Sequence, residues 1–209
     1  MEKFLCIILA FITGFVSYPL SFIPDNADTV KAHCRSIAKN GRGYTVTYKN
    51  DSGEYSARCR YLVGADGANS MVRKYLYPTK KIRRYTAIQQ WFREENAKPF
   101  YSCIFDPATS DCCSWSISKD NVFIYGGAFE PKDCRMMFEI QKPRLSDYGF
   151  KFGEILKTEA CVVLRPKSPF DICTGRNNAF LVGEAAGLIS PSSLEGISFA
   201  VNSARILAE

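Results

Sequence analysis

Tyr61-Leu-Val-Gly-Ala-Asp-Gly-Ala-Asn-Ser-Met-Val-Arg73 is the stretch that decides how this chain folds. An apolar run stops abruptly at small residues and gives way to a segment with a capping residue at its start, the pattern of strand, tight turn and helix. Gly64 and Gly67 let a ligand approach the backbone. Asp66 can accept hydrogen bonds from a polyol hydroxyl or from a water on a phosphate, and Asn69 or Ser70 can cap the helix. An Asp-Gly pair alone would suit any strand-to-helix turn. The longer spacing Asp66-Gly67-x-x-Ser70-x-x-Arg73 behind a hydrophobic strand is more specific.

Upstream, the chain reads as strands over Val30 to Ile37, Gly43 to Tyr48 in strict alternation, and Tyr55 to Val63, with a hairpin turn at Asn50-Asp51-Ser52-Gly53. Further back, Phe4 to Val16 is nearly all apolar and resembles a signal-peptide core. Glu2 neutralises the short charged region, no small-x-small cleavage site follows clearly, and the run is short for a membrane span. A hydrophobic helix ended by Pro19 and Pro24 is the expectation.

Downstream of the opening stretch, Arg84 to Glu94, Phe100 to Phe105, Ser114 to Ser118 and Asn121 to Phe129 are short aromatic and β-branched runs punctuated by Asp106-Pro107 and Lys119-Asp120. They predict an antiparallel sheet. Pro131 to Ser146 then predicts a polar helix whose apolar stripe, Met136, Met137 and Ile140, packs on that sheet.

A second glycine-punctuated segment runs from Asn178 to Glu209: strand, small-residue turn, loop, helix. Gly183, Ala185, Ala186 and Gly187 leave room for a bulky ligand, and Glu184 offers a carboxylate. Glu195-Gly196-Ile197 opens a helix whose N-terminal dipole would favour an anion.

Taken together, the two segments resemble the DG motif and the second FAD-contacting motif of flavoproteins of the para-hydroxybenzoate hydroxylase superfamily, in which an Asp usually stands where this chain has Glu184. The form Gly-Glu-Ala-Ala-Gly followed by Ile-Ser-Pro-Ser-Ser and Glu-Gly-Ile-Ser is similar to the geranylgeranyl reductase family. That resemblance implies an α/β (α+β) chain: a partial FAD/NAD(P)-binding Rossmann-like domain with an inserted antiparallel β-sheet substrate domain. Its boundaries would be a hydrophobic segment at 1–24, FAD-binding parts at 25–78 and 176–209, and the substrate domain at 79–175. The cofactor residues it implies are Gly64, Asp66, Gly67, Ser70, Arg73, Gly183, Glu184, Ala185, Gly187, Pro191, Gly196 and Ile197. Cys113-Ser-Trp-Ser-Ile-Ser118 partly matches the family's Tyr-x-Trp-x-Phe-Pro strand, with Cys113 in place of the first aromatic and Ser118 in place of the proline.

The implied activity is flavin-mediated reduction of an isoprenoid or other apolar small-molecule C=C bond, with NAD(P)H or another donor reducing the FAD. The alternatives are an aromatic monooxygenase on the same scaffold and an inactive or partner-binding remnant. No side chain is nominated as catalytic. The GxGxxG turn that cradles the FAD pyrophosphate occurs nowhere in the chain, so the resemblance covers about residues 22 to 209. The chain is therefore expected to retain little FAD by itself and to associate through exposed sheet edges.

Composition sets the outer bounds. With 46% hydrophobic and 23% charged residues in 209, the chain is an ordinary globular protein. The net charge of +6 is scattered, with only short clusters such as Lys80-Lys81-Ile82-Arg83-Arg84, so nucleic acid is not an expected partner; an anionic ligand or peripheral membrane contact suits the same charge. Nine cysteines, an odd number without paired CxxC elements, and one histidine, His33, argue against a disulfide framework, a metal site or a Cys-His nucleophile. They fit small buried residues in a reducing cytoplasm. Cys112-Cys113 is the exception to watch, because vicinal thiols near a cofactor can be redox-active.

Overall fold

The computed structural model describes residues 27–93, 101–119 and 121–209, together with the backbone of 6–10. It divides into two compact units, one comprising 1–81, 168–189 and 196–209, the other 82–167 and 190–195.

The first unit is built on a four-stranded sheet. β5 (Tyr61–Ala65) lies between β1 (Cys6–Ala10) and β12 (Ala179–Leu181), parallel to both, and the short β11 (Gly175–Arg176) closes the row antiparallel to β12. β1 corrects the expected N-terminal helix. Cys6 to Ala10 aligns with Tyr61 to Ala65 residue for residue, so this part of the apolar run satisfies its backbone groups in a sheet; the remainder, with Pro19 and Pro24, lies outside the described residues.

Beside this sheet stands an antiparallel meander of β2 (His33–Asn40), β3 (Gly43–Asn50) and β4 (Gly53–Cys59). The hairpin turn falls at Asn50 to Gly53 as expected, with the Ser52 N–H donating to Asn50 Oδ1 at 2.9 Å. The single strand expected over Tyr55 to Val63 is in fact two, because the chain leaves the meander after Cys59 and enters the parallel sheet at Tyr61. Alternation gives way there to the continuous burial of Leu62, Val63 and Gly64, the pattern of a strand covered on both faces. Helices α1 (Met71–Leu76) and α3 (Ile197–Ala208) complete the unit, around a core of Tyr44, Val46, Leu62, Val72, Leu76 and Leu181.

The second unit is a five-stranded antiparallel sheet in the order β10 (Ile155–Leu164), β6 (Arg84–Arg93), β9 (Val122–Phe129), β8 (Ser114–Lys119), β7 (Tyr101–Ile104). This is the antiparallel sheet the sequence predicts, with one strand added. β10 is an edge strand whose first seven residues are exposed, so it carries no buried alternation to reveal it. Helix α2 (Cys134–Ser146) packs on the sheet through Cys134, Phe138, Gln141 and Leu145. The stripe expected to do so is displaced by about one position: Met136 and Ile140 are 51% and 44% exposed, and only Met137 of that trio joins the core. Phe92, Phe123, Tyr125, Phe129, Phe138 and Phe150 form that core, with Tyr125 stacked on Phe138 at 5.1 Å. Among the described residues, no helix is long and apolar enough to cross a membrane.

Candidate functional site

The strand-turn-helix expected at Tyr61 to Arg73 is formed, and its turn is held almost wholly by its own side chains. Asp66 Oδ2 accepts the N–H of Met71 at 2.7 Å and of Val72 at 3.4 Å, fixing the first turn of α1 from outside. Ser70, fully buried, is the N-cap, its Oγ accepting the Arg73 N–H at 3.0 Å. Gly67 has φ +65° and its missing side chain would face open space, so glycine is required here by backbone conformation, not by crowding. At Gly64 the reason is reversed: a Cβ would stand 2.7 Å from both Val72 and Leu181, and its absence lets α1 and β12 close on β5.

The second segment forms its expected turn. Gly183 to Ala186 is a single tight helical turn ended by Gly187 in the left-handed region, and Gly196 is the N-cap of α3, which begins at the exposed Ile197. Gly183 has φ +55°, and a Cβ there would meet Ala200 of α3 at 3.0 Å, while its N–H donates to Ser203 Oγ at 2.9 Å. The close approach at Gly183 is thus made by a helix of this chain. Pro191 belongs to the second unit, where its carbonyl accepts Arg165 Nε at 2.9 Å.

Arg73 joins the two segments. Its guanidinium, 7% exposed, donates to the carbonyls of Ala185 at 2.7 Å and Glu184 at 3.3 Å, and to that of Ala68. The residue expected to touch the cofactor therefore clamps the two glycine turns together. The sequence shows the spacing of Arg73 but not this link across more than a hundred residues.

One polar atom in this constellation lacks a partner among the described residues. Asp66 Oδ1 is buried and accepts no hydrogen bond. An orphaned carboxylate oxygen costs on the order of 1–3 kcal/mol or more, so such an atom marks a place where a donor from a ligand fits. The charge is felt nearby: burial first, and the Asp66 carboxylate second, push the half-buried Cys34 thiol above its ordinary value.

In the second unit, a cavity of about 250 Å³ lies against β7 and β8, with Tyr101, Phe105, Trp115 and Ile117 as its apolar wall and Cys103 and Cys113 among them. Trp115 lies over Gly126, where a Cβ would approach its indole to 2.7 Å, and its Nε1–H donates to Gln89 Oε1 at 2.8 Å. The partial strand motif around Trp115 was the one signal for this wall in the sequence; Tyr101 and Phe105 carried none.

Residues 29–129 match the FAD binding domain family. The chain is 53% identical over 188 residues to the protein CbrA of Shigella dysenteriae serotype 1, covering 90% of this chain and 53% of that protein. It is 55% identical over 174 residues to CbrA of Escherichia coli O157:H7, covering 83% and 49%. The chain thus spans about half the length of the curated relatives it matches. Among solved structures, a geranylgeranyl bacteriochlorophyll reductase-like protein from Thermoplasma acidophilum superposes with a TM-score of 0.70 at 15% identity, over 85% of this chain and 47% of that one. The p-nitrophenol 4-monooxygenase PnpA of Pseudomonas putida superposes with 0.54 at 14% identity, over 77% and 42%. The mixed α/β fold with its inserted antiparallel sheet is that of the FAD-binding flavoenzymes.

Proposed function

We propose that this chain forms part of an FAD-dependent oxidoreductase that reduces a C=C bond of an isoprenoid or other apolar substrate. The observation that carries the FAD assignment is the buried, unpartnered Asp66 Oδ1 at the end of β5, beside a Gly67 that keeps the approach to the turn open. Asp66 would accept a hydroxyl of the cofactor, with Gly67 and the turn at Gly183 to Gly187 offering backbone to it, while Ser70 and Arg73 hold those turns in place. Bound FAD would supply hydride chemistry, replenished by NAD(P)H or another donor. The protein's own part is to orient the substrate and exclude water, and the apolar wall of Tyr101, Phe105, Trp115 and Ile117 suits that task. Its volume is slightly below the ~300–1,000 Å³ of ordinary small-molecule sites, which suits a single ring or one end of a longer chain.

Titration with FAD, followed by flavin absorbance and fluorescence, tests the assignment. Weak but saturable binding, weakened roughly tenfold or more further by Asp66→Ala, is the expected result, corresponding to about 1–3 kcal/mol for a charge-assisted hydrogen bond. Equal affinities of the two proteins would remove Asp66 from the site. The reaction class is settled by products: a saturated double bond under anaerobic conditions supports the reductase, whereas an oxygen-dependent hydroxylated ring would make the protein a monooxygenase.

A further inference from the structure

The meander of the first unit carries a polar cavity of about 400 Å³ where β2 begins and the β3–β4 hairpin turns. Lys31, His33 and Arg35 line it on one side, Lys49 and Asp51 on the other. A β-bulge brings the arginine there. Cys34 and Ile37 both pack against the core although they are three residues apart, and in a regular strand they would face opposite ways. The ladder absorbs the odd residue at Arg35. Cys34 pairs with Tyr48 and Ser36 with Thr47, so Arg35 has no partner on β3, and both it and Ser36 turn to the outer face. His33 stands directly opposite Lys49 on that same face.

These basic groups gather without an internal counter-charge. Among the described residues, none of Lys31, His33, Arg35 and Lys49 is in an ion pair, whereas Lys142 on α2 and Lys157 on β10 each hold a glutamate. The cavity wall sets three permanent cations and an imidazole against the one carboxylate of Asp51, and Glu54 flanks Lys49 across the ladder. Holding cations together on a concave surface costs mutual repulsion, and since all four basic side chains are exposed, the core gains nothing in return. A bound anion offsets that cost.

We propose that this cavity binds the phosphate group of a small phosphorylated sugar or polyol. Arg35 offers a planar fork for two phosphate oxygens, Lys31 and Lys49 act as point charges beside it, and His33 adds a ring N–H donor. The side chains do this work, because the Ser52 N–H of the hairpin turn is already committed to Asn50 Oδ1 at 2.9 Å. The volume falls in the ordinary range of small-molecule sites and leaves room for a body attached to the phosphate. That body is hydroxylated and not a stacked base: apart from the His33 imidazole no ring lines the cavity, and the Asp51 carboxylate suits a hydroxyl. Asp66 is not part of this wall, so the site stands apart from the flavin assignment.

The chain's single histidine is the probe. At constant ionic strength and without FAD, titrating in glycerol 3-phosphate should move the His33 Cε1–H proton resonance saturably, while glycerol leaves it in place and succinate, whose two charges are split between separate groups, binds several-fold more weakly. Arg35→Gln and Lys49→Gln should each weaken the phosphate response roughly tenfold, and Arg35→Lys should recover only part of it. None of these substitutions should lower the unfolding midpoint of the ligand-free chain, because no contact within the chain is lost. Cosedimentation with vesicles of phosphatidylcholine and a minority of phosphatidic acid, abolished by the same two glutamine substitutions, would make a lipid headgroup the source of the phosphate; a response to glycerol 3-phosphate without vesicle binding would make it a free metabolite. No response to either probe up to millimolar concentration, an equal response to succinate, or unchanged affinity in both glutamine variants would overturn the proposal.

Discussion

The glycine turns of the first unit and the sheet-helix core of the second both bury polar groups, but they satisfy them in different ways. At the turns, the partners are backbone: Asp66 and Ser70 take N–H groups of α1, and Arg73 takes three carbonyls. In the second unit, the partners are side chains. Gln141, 1% exposed, accepts from Ser114 Oγ at 2.7 Å and from the Tyr125 hydroxyl, and donates to Thr109 Oγ1 at 2.7 Å. A backbone carbonyl cannot turn away when its donor is lost, whereas a hydroxyl can rotate to another acceptor. The first arrangement fixes geometry rigidly; the second tolerates adjustment.

Removing each hub should expose that contrast. Arg73→Met should destabilise the chain by about 3 kcal/mol or more, because it strands the buried carbonyls of Ala68 and Ala185, while that of Glu184 keeps the Gly187 N–H, and Arg73→Lys should restore little of it, since an ammonium lacks the planar fork. Gln141→Leu, of similar shape, should cost about 1–2 kcal/mol. Denaturant unfolding gives the magnitudes, and hydrogen exchange gives the place: residues 61–76 and 183–188 should open in the first case, 109–128 in the second. Equal costs would mean that hydroxyl and carbonyl partners are equally hard to replace here.

The next contrast lies between two glycines in the same unit with the same sign of φ. Gly183→Val meets both a left-handed backbone and Ala200 at 3.0 Å, so α3 must shift; a loss of about 2–4 kcal/mol is expected. Gly67→Ala meets the backbone penalty alone, about 1–2 kcal/mol, because its side chain enters open space. If FAD occupies that space, the order inverts when flavin affinity is measured in place of stability. Stability losses of equal size at the two positions would show that α3 yields freely to the added side chain.

These regions also differ in how far the sequence reveals them. The Asp66 to Arg73 turn was legible because its determinants are local: a buried run, glycines at fixed offsets, and a capping serine within a dozen residues. The antiparallel sheet was legible from alternation in β6 to β9, while β10 escaped because its outer residues are exposed and leave no periodic signal. Cys6 to Ala10 was misread because a short apolar run without a breaker suits helix and strand alike, and only pairing with β5 decides. Arg73 to Ala185, Gln141 to Ser114 and Arg165 to Pro191 were not legible at all, since each joins residues that are neighbours only in the folded chain.

The smallest expected effect separates an ion pair from both kinds of hub. Asp106 sits at the turn after β7 and takes Arg144 of α2 on both oxygens, at 2.8 and 3.2 Å. Hydrogen bonding from Arg144, with the Ala108 N–H assisting against burial, holds its carboxyl below the ordinary carboxylate value. A folded pKa below the unfolded one means that the folded chain binds the proton less readily, so the pair stabilises fully above the ordinary carboxylate value and loses its contribution as pH falls through the lower, folded one. Acid unfolding of the parent should therefore include a component below about pH 4 that Asp106→Asn lacks. Near neutral pH the substitution should lower stability only slightly, because Arg144 is open to solvent and the pair is screened. Added salt should shrink the difference further while leaving the Arg73 and Gln141 effects unchanged, and a salt-independent loss at Asp106 would mean that its bond to the Ala108 N–H, at 3.1 Å, carries the turn in place of the ion pair.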